Sequence, residues 1–201
     1  MCSSDLSTEL LMKLLDPDQR LPVHYHPNKA FAKKHLSLNH GKTEAWIILE
    51  APEGAEVGLG FEKKMTKPEV KSMVDALDSK GLLASLTKHK VKAGDTVFVP
   101  AGTPHAIGAG IFVLELQEPT DLSALLEWTD FAVDGVKDGH LGLGFDLVLD
   151  SLSYEPIPSE EAKKLVIHDR LFTSSDASVF RSEEHTSELQ SLAYLVCRLL
   201  L

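Results

Sequence analysis

The sequence predicts a mainly β domain with an inserted helix and further helices toward the C-terminus. Short runs rich in β-branched and aromatic residues recur between Gly, Pro and Asp punctuation, as in Thr96–Val99, which lies between Gly94-Asp95 and Pro100. Helical spacing dominates around residues 68–79, where Val70, Met73, Val74 and Leu77 recur along one face. The corner that follows Thr96–Val99, Pro100-Ala101-Gly102-Thr103-Pro104-His105, is too rich in proline and glycine to continue a ladder, so it presents His105 at the end of a strand.

In chain order, residues 7–15 carry Leu10, Leu11, Leu14 and Leu15, a spacing that suits either a short helix or a buried strand. Residues 16–20 form a turn, residues 21–27 a strand bearing His24 and His26, and residues 28–35 a short polar helix or loop. Glu44 opens an apolar strand that runs to Leu49. Pro52-Glu53-Gly54 breaks it, and Glu56–Phe61 reads as the next strand. Thr66 is placed as the N-cap of a helix over 68–79, with Pro68 near its first position, Glu69 in a capping box and Gly81 as the stop. Residues 82–86 read as a second helical turn, 91–99 as a return to β, and 111–117 as the strand after His105. Residues 146–152 and 159–166 read as helices, the second capped by Ser159 with Glu160 and Glu161 in its first turn. The glycine-rich stretch 140–145 lacks the strand–GxGxxG–helix context of a dinucleotide site.

The ends stand apart from this pattern. Residues 181–191 read as the translation of an oligonucleotide sequencing adapter, and residues 2–6 as the translation of the reverse complement of its beginning. Residues 1–6 and 181–201 are therefore expected to be non-native, leaving 7–131 as the metal-binding domain and 132–180 as a helical and loop extension toward a missing C-terminal part. Both cysteines, Cys2 and Cys197, fall in the suspect ends, which excludes thiolate sites and disulfides from 7–180. The full chain carries a formal charge of −10. Without four acids and two arginines at the ends it has 26 acids and 18 bases, a net −8, which argues against nucleic acid as a partner. No apolar run approaches the roughly 20 residues of a membrane span. The expectation is one cytoplasmic domain, with oligomeric state left open.

Chemistry concentrates on four residues. His24 and His26, two apart on a strand, share a face; Glu44 stands at the start of the next apolar strand and His105 at the corner after Thr96–Val99. Three imidazoles and one carboxylate suit Zn²⁺, Fe²⁺, Mn²⁺ or Ni²⁺ without choosing between them. Glu115, on the strand after His105, is a candidate base if it points inward.

The spacing Gly-x5-Pro-x-Gly-x2-His of residues 94–105 resembles the second motif of the cupin superfamily. The ordered motifs LPVHYHPN, GKTEAW, GDTVFVPAGTPHAIG and ELQEPTD further resemble class I mannose-6-phosphate isomerases and their short bacterial relatives, over about residues 12–150. The resemblance implies a cupin (jelly-roll) β-barrel and one divalent metal, usually zinc, held by His24, His26, Glu44 and His105. It also implies an active-site lysine at Lys42 and interconversion of mannose 6-phosphate with fructose 6-phosphate, a small-molecule sugar phosphate substrate. Two positions depart from the longer enzymes: His24 stands where they usually carry glutamine, and Ala124 where they place an arginine. Within 7–180 the arginines are Arg20 and Arg170. The competing readings are a metal-dependent cupin oxygenase, with the same ligands around iron, and a sugar-binding cupin without catalysis.

Overall fold

The computed structural model describes residues 10–169. The expected non-native ends, residues 7–9 and residues 170–180 lie outside them. The strands in chain order are β1 (Leu11–Leu15), β2 (His24–Tyr25), β3 (Glu44–Glu50), β4 (Glu56–Phe61), β5 (Leu86–Lys90), β6 (Thr96–Val99), β7 (His105–Ile107), β8 (Phe112–Gln117), β9 (Ala124–Leu125) and β10 (Val166–Ile167). They form two antiparallel sheets, ordered β1-β8-β3-β6-β10 and β5-β4-β7-β2-β9. Every neighbouring pair is antiparallel and non-sequential neighbours are common, the jelly-roll arrangement that the motifs implied.

Trp46, Ile48, Val57, Leu59, Val97, Ile107 and Val113 fill the space between the sheets. Alternation along each strand puts these residues inside and their neighbours outside. On the second sheet the other face is covered too. Tyr25, Phe61, Ala106 and Ala124 pack there against Val70, Val74, Leu82, Val148 and Leu149 from helical segments. Those segments are α2 (Lys67–Asp75), α3 (Ser79–Ala84) and α5 (Phe145–Val148), which runs into a short 3₁₀ turn, Leu149–Ser151. Tyr25 Oη donates to the carbonyl of Val148 at 2.6 Å, so the strand bearing His24 is tied to this helical layer. The remaining helices are α1 (Lys29–Leu36), α4 (Gly135–Asp138) and α6 (Ser159–Leu165).

Several expectations change at element boundaries. The ambiguous stretch near residue 10 is a strand, because β8 offers it a full ladder from Leu11↔Gln117 to Leu15↔Val113. The helix expected over 68–79 ends early, and the second helical turn expected over 82–86 begins sooner, at Ser79. The capping box forms as read, with Thr66 N–H donating to Glu69 at 2.7 Å, but α2 ends at Asp75. Leu77 then takes a left-handed φ of 54°, and the Asp78 side chain accepts from Gly81 N to start α3. Gly81 therefore lies inside the second helix rather than stopping the first. The run 91–99 also splits, since Asp95 folds back to accept from Lys92 N at 2.9 Å and leaves only Thr96–Val99 as strand. In α6, Ser159 is the first helical residue; Pro158 precedes it and no side chain caps the helix. The short strands β9 and β10 were not foreseen, as two-residue pairings carry no periodic signal.

Candidate active site and metal centre

The ladder of the second sheet sets His24 directly opposite His105, and directly opposed residues project from the same face. His26 follows two residues after His24. The ligand nitrogens of His24, His26 and His105 all lie within 4.8 Å of one another, and the ring centroids are 4.3–5.0 Å apart. Each ring is oriented by a backbone carbonyl at Nδ1: His24 on Pro22 at 2.7 Å, His26 on Leu122 at 2.5 Å and His105 on Thr103 at 2.8 Å. A carbonyl can only accept, so each Nδ1 carries a proton and Nε2 is the ring atom turned toward the neighbouring side chains. Burial, and then the adjacent imidazoles, push the His24 pKa down to about 3 and hold His105 well below the ordinary histidine range. Both rings are thus in the neutral form that binds a metal.

Glu44 comes from the facing sheet. Its Oε1 is 3.0 Å from His26 Nε2 and 2.8 Å from Lys42 Nζ, and its Oε2 is 3.8 Å from His105 Nε2. Burial opposes this carboxylate's charge, yet His26 and then Lys42 outweigh it and hold the carboxyl well below its ordinary range. Trp46 Nε1 donates to Oε2 at 3.1 Å and fixes its orientation. His26 Nε2 and His105 Nε2 are buried without a hydrogen-bond partner among the described residues, and Glu44 Oε1 meets the Lys42 ammonium beside them. Lone pairs gathered in this way are costly in a protein interior. A cation among them relieves that cost, so the donor set fits a divalent metal.

Glycine makes this convergence of the two sheets possible. A Cβ on Gly41 would lie 2.6–2.8 Å from backbone atoms of Pro27, Asn28 and Lys29. The chain leading to Lys42 and Glu44 can therefore lie against the segment that follows His26. Lys42 N donates to the carbonyl of Pro27 at 3.1 Å, and Thr120 Oγ1 to the carbonyl of Gly41 at 2.5 Å.

Glu115 is buried on the inner face of β8, opposite Trp46. Burial, and then the charge of Glu44, push its pKa up to about 7. Lys13 of β1 stands directly across from Glu115 and pairs with Asp121. Sequence reading passed over Lys13. A lysine among leucines is an inward polar position once the segment is a strand, but carries no such meaning while a helix remains open. Gln117 lies opposite Glu44, although the motif ELQEPTD that contains it gives no sign of which face it takes. Ala124 is fully buried in the apolar layer and pairs with Tyr25, whereas Leu125 is the β9 residue opposite His24. Position 124 therefore faces away from the histidines, and an arginine there would not reach them. Arg20 is engaged elsewhere, with Nη2 2.9 Å from Glu127 and its guanidinium over the Phe131 ring.

No family model matches the chain. It is 47% identical over 112 residues to the mannose-6-phosphate isomerase of Streptococcus mutans, covering 56% of this chain and 34% of that protein. Against mannose-6-phosphate isomerase ManA of Bacillus subtilis it is 34% identical over 164 residues, covering 81% and 49%. The crystal structure of the Bacillus subtilis mannose 6-phosphate isomerase superposes with a TM-score of 0.59 at 31% identity, over 72% of this chain and 44% of that one. A phosphomannose isomerase variant from Salmonella typhimurium, at 17% identity and a TM-score of 0.53, shares the fold over 78% of this chain and 56% of its own. The chain thus spans between a third and a half of the length of these curated relatives. Over the residues that these likenesses cover, the chain is similar to mannose-6-phosphate isomerases and shares the two-sheet fold of the Bacillus subtilis enzyme.

Proposed function

We propose that this chain is the metal-binding part of an aldose–ketose isomerase that interconverts mannose 6-phosphate and fructose 6-phosphate, with zinc held by His24, His26, Glu44 and His105. The observation that carries the reading is the convergence of those four side chains beside a carboxyl whose pKa lies near neutrality. Iron or manganese would suit the same ligands. When bound, the ion supplies a Lewis acid for the carbonyl and enediolate oxygens of the sugar. The relatives named for this activity support the choice of substrate.

The reaction moves one proton between C1 and C2 and requires a group that takes it from one carbon and returns it to the other. Glu115 is suited to that task, because a carboxyl with a pKa of about 7 is divided between acid and base at physiological pH. Trp46 and the β3–β8 ladder hold it on the inner wall. Lys42 faces Glu44 and offers a positive charge to developing oxyanions. Lys13, across from Glu115, is a second cation on that wall for the substrate's anionic end.

A coupled assay with mannose 6-phosphate on the zinc-reconstituted full chain tests this reading, with elemental analysis alongside. The expected outcome is one zinc per chain with measurable isomerisation. His105→Ala should bind metal more weakly by well over the about 10- to 100-fold that loss of a ligand's supporting hydrogen bond costs. Unchanged metal content in that variant overturns the ligand assignment. Iron in the purified protein, without isomerisation, would move the reading to the oxygenase class.

A further inference from the structure

One polar side chain on the inner wall has no place in the scheme above. Gln117 is fully buried and lies directly opposite Glu44 in the β3–β8 ladder, so the two side chains leave the sheet on the same face. Its amide is held from one side, with Nε2 donating to the carbonyl of Thr120 at 2.5 Å and to that of Glu118 at 3.2 Å. These acceptors decide which end of the carboxamide is which, because a flipped amide would set its oxygen against two carbonyl oxygens. Oε1 is thereby turned away from the 118–120 backbone. It is buried and has no hydrogen-bond partner among the described residues.

A buried amide oxygen with its other end tethered is a preorganised acceptor. It discriminates by chemistry: it receives a hydroxyl but repels a phosphate dianion, which has no proton to donate. Glu44 and the three histidines already form a four-ligand set, so the oxygen is not required to complete the metal centre. We propose that Gln117 is a substrate-contacting residue whose Oε1 accepts a hydrogen bond from one hydroxyl of a sugar phosphate bound beside Glu44. This rests on the sugar-phosphate reading of the site, and it places the polyol end of the substrate at Gln117 and the phosphate elsewhere.

The test is a calorimetric titration of the zinc-loaded full chain with mannose 6-phosphate and with analogues that each lack one ring hydroxyl. Gln117→Met keeps the length and removes the acceptor. One deletion should weaken binding to the wild type by about tenfold or more. Gln117→Met should bind the parent sugar weaker by a similar factor and no longer distinguish it from that one analogue. Its zinc content should be unchanged. Equal weakening toward every analogue, loss of zinc, or no change overturns the proposal. If Gln117→Met fails to fold, the wild-type series decides, and the absence of any single costly hydroxyl overturns it. A wild type that binds mannose 6-phosphate without isomerising it sinks the isomerase reading and leaves Gln117 standing. A wild type that binds no sugar phosphate sinks both.

Discussion

A carboxyl on the inner wall of a barrel loses hydration without gaining a dedicated counter-charge, and Glu115 is in that position. Its folded pKa of about 7 stands above the ordinary 4.5 because burial and the Glu44 charge both oppose ionisation. The folded state therefore binds this proton more tightly than the unfolded chain does. The resulting stabilisation is fully present below about pH 4.5 and is lost as pH rises through 7. In Glu115→Gln nothing ionises at this position. The stability of the variant relative to wild type should therefore rise by on the order of 3 kcal/mol between pH 4.5 and 8. Urea denaturation of chelator-treated protein across that range measures the difference, and a flat difference would show that Glu115 carries its charge throughout. The same titration near neutrality is what suits Glu115 to moving a proton between two carbons.

At the scale of elements, the joint between α2 and α3 concentrates strain in one residue. Leu77 is half exposed and adopts a left-handed φ of 54°, a conformation that costs a residue with a Cβ roughly 1–2 kcal/mol. Leu77 N and Ser79 N still find backbone acceptors in Val74 and Leu77, so the turn is held by its hydrogen bonds in spite of the side chain. Leu77→Gly removes the steric cost while giving up little buried apolar surface. It should raise stability by about 0.5–1 kcal/mol, the usual glycine entropy cost being smaller than the strain relieved. A thermal melt reads this as a midpoint several degrees higher, and a lower midpoint would mean that Leu77 packs more productively than its exposure implies. Because α2 and α3 only support the outer face of the second sheet, metal content should not change.

Across the whole molecule, one ion pair closes the edge of the second sheet. Arg20 precedes β2, the strand that carries His24, and Glu127 follows β9, the edge strand paired with it. Glu127 is fully buried; it accepts from Arg20 through Nη1 and Nη2 and from Val23 N at 2.8 Å. Arg20→Met keeps most of the side-chain bulk and strands a buried carboxylate on a single backbone donor. Breaking a buried pair in this way costs about 3–5 kcal/mol. The urea midpoint should fall accordingly, and Arg20→Met combined with Glu127→Gln should recover part of the loss. Equal stability of the single variant and wild type would show that the pair is solvated in solution.

The chain's own order of residues determined its β character, the capping box at Thr66 and the four side chains that meet at the candidate metal centre. Each of these depends on local spacing: two residues place His24 and His26 on one face, and Pro and Gly turn the chain after Val99. Pairing between distant segments decided the rest. Residues 10–15 became a strand because β8 was there to receive them, and only then did Lys13 become an inward charge opposite Glu115. A single register in the β2–β9 pair put Leu125 across from His24 and sent Ala124 into the apolar layer. The raised pKa of Glu115 and the unpaired oxygen of Gln117 have no counterpart in local sequence. Both arise from the exclusion of water and the approach of groups far apart along the chain, and only the packed sheets supply these.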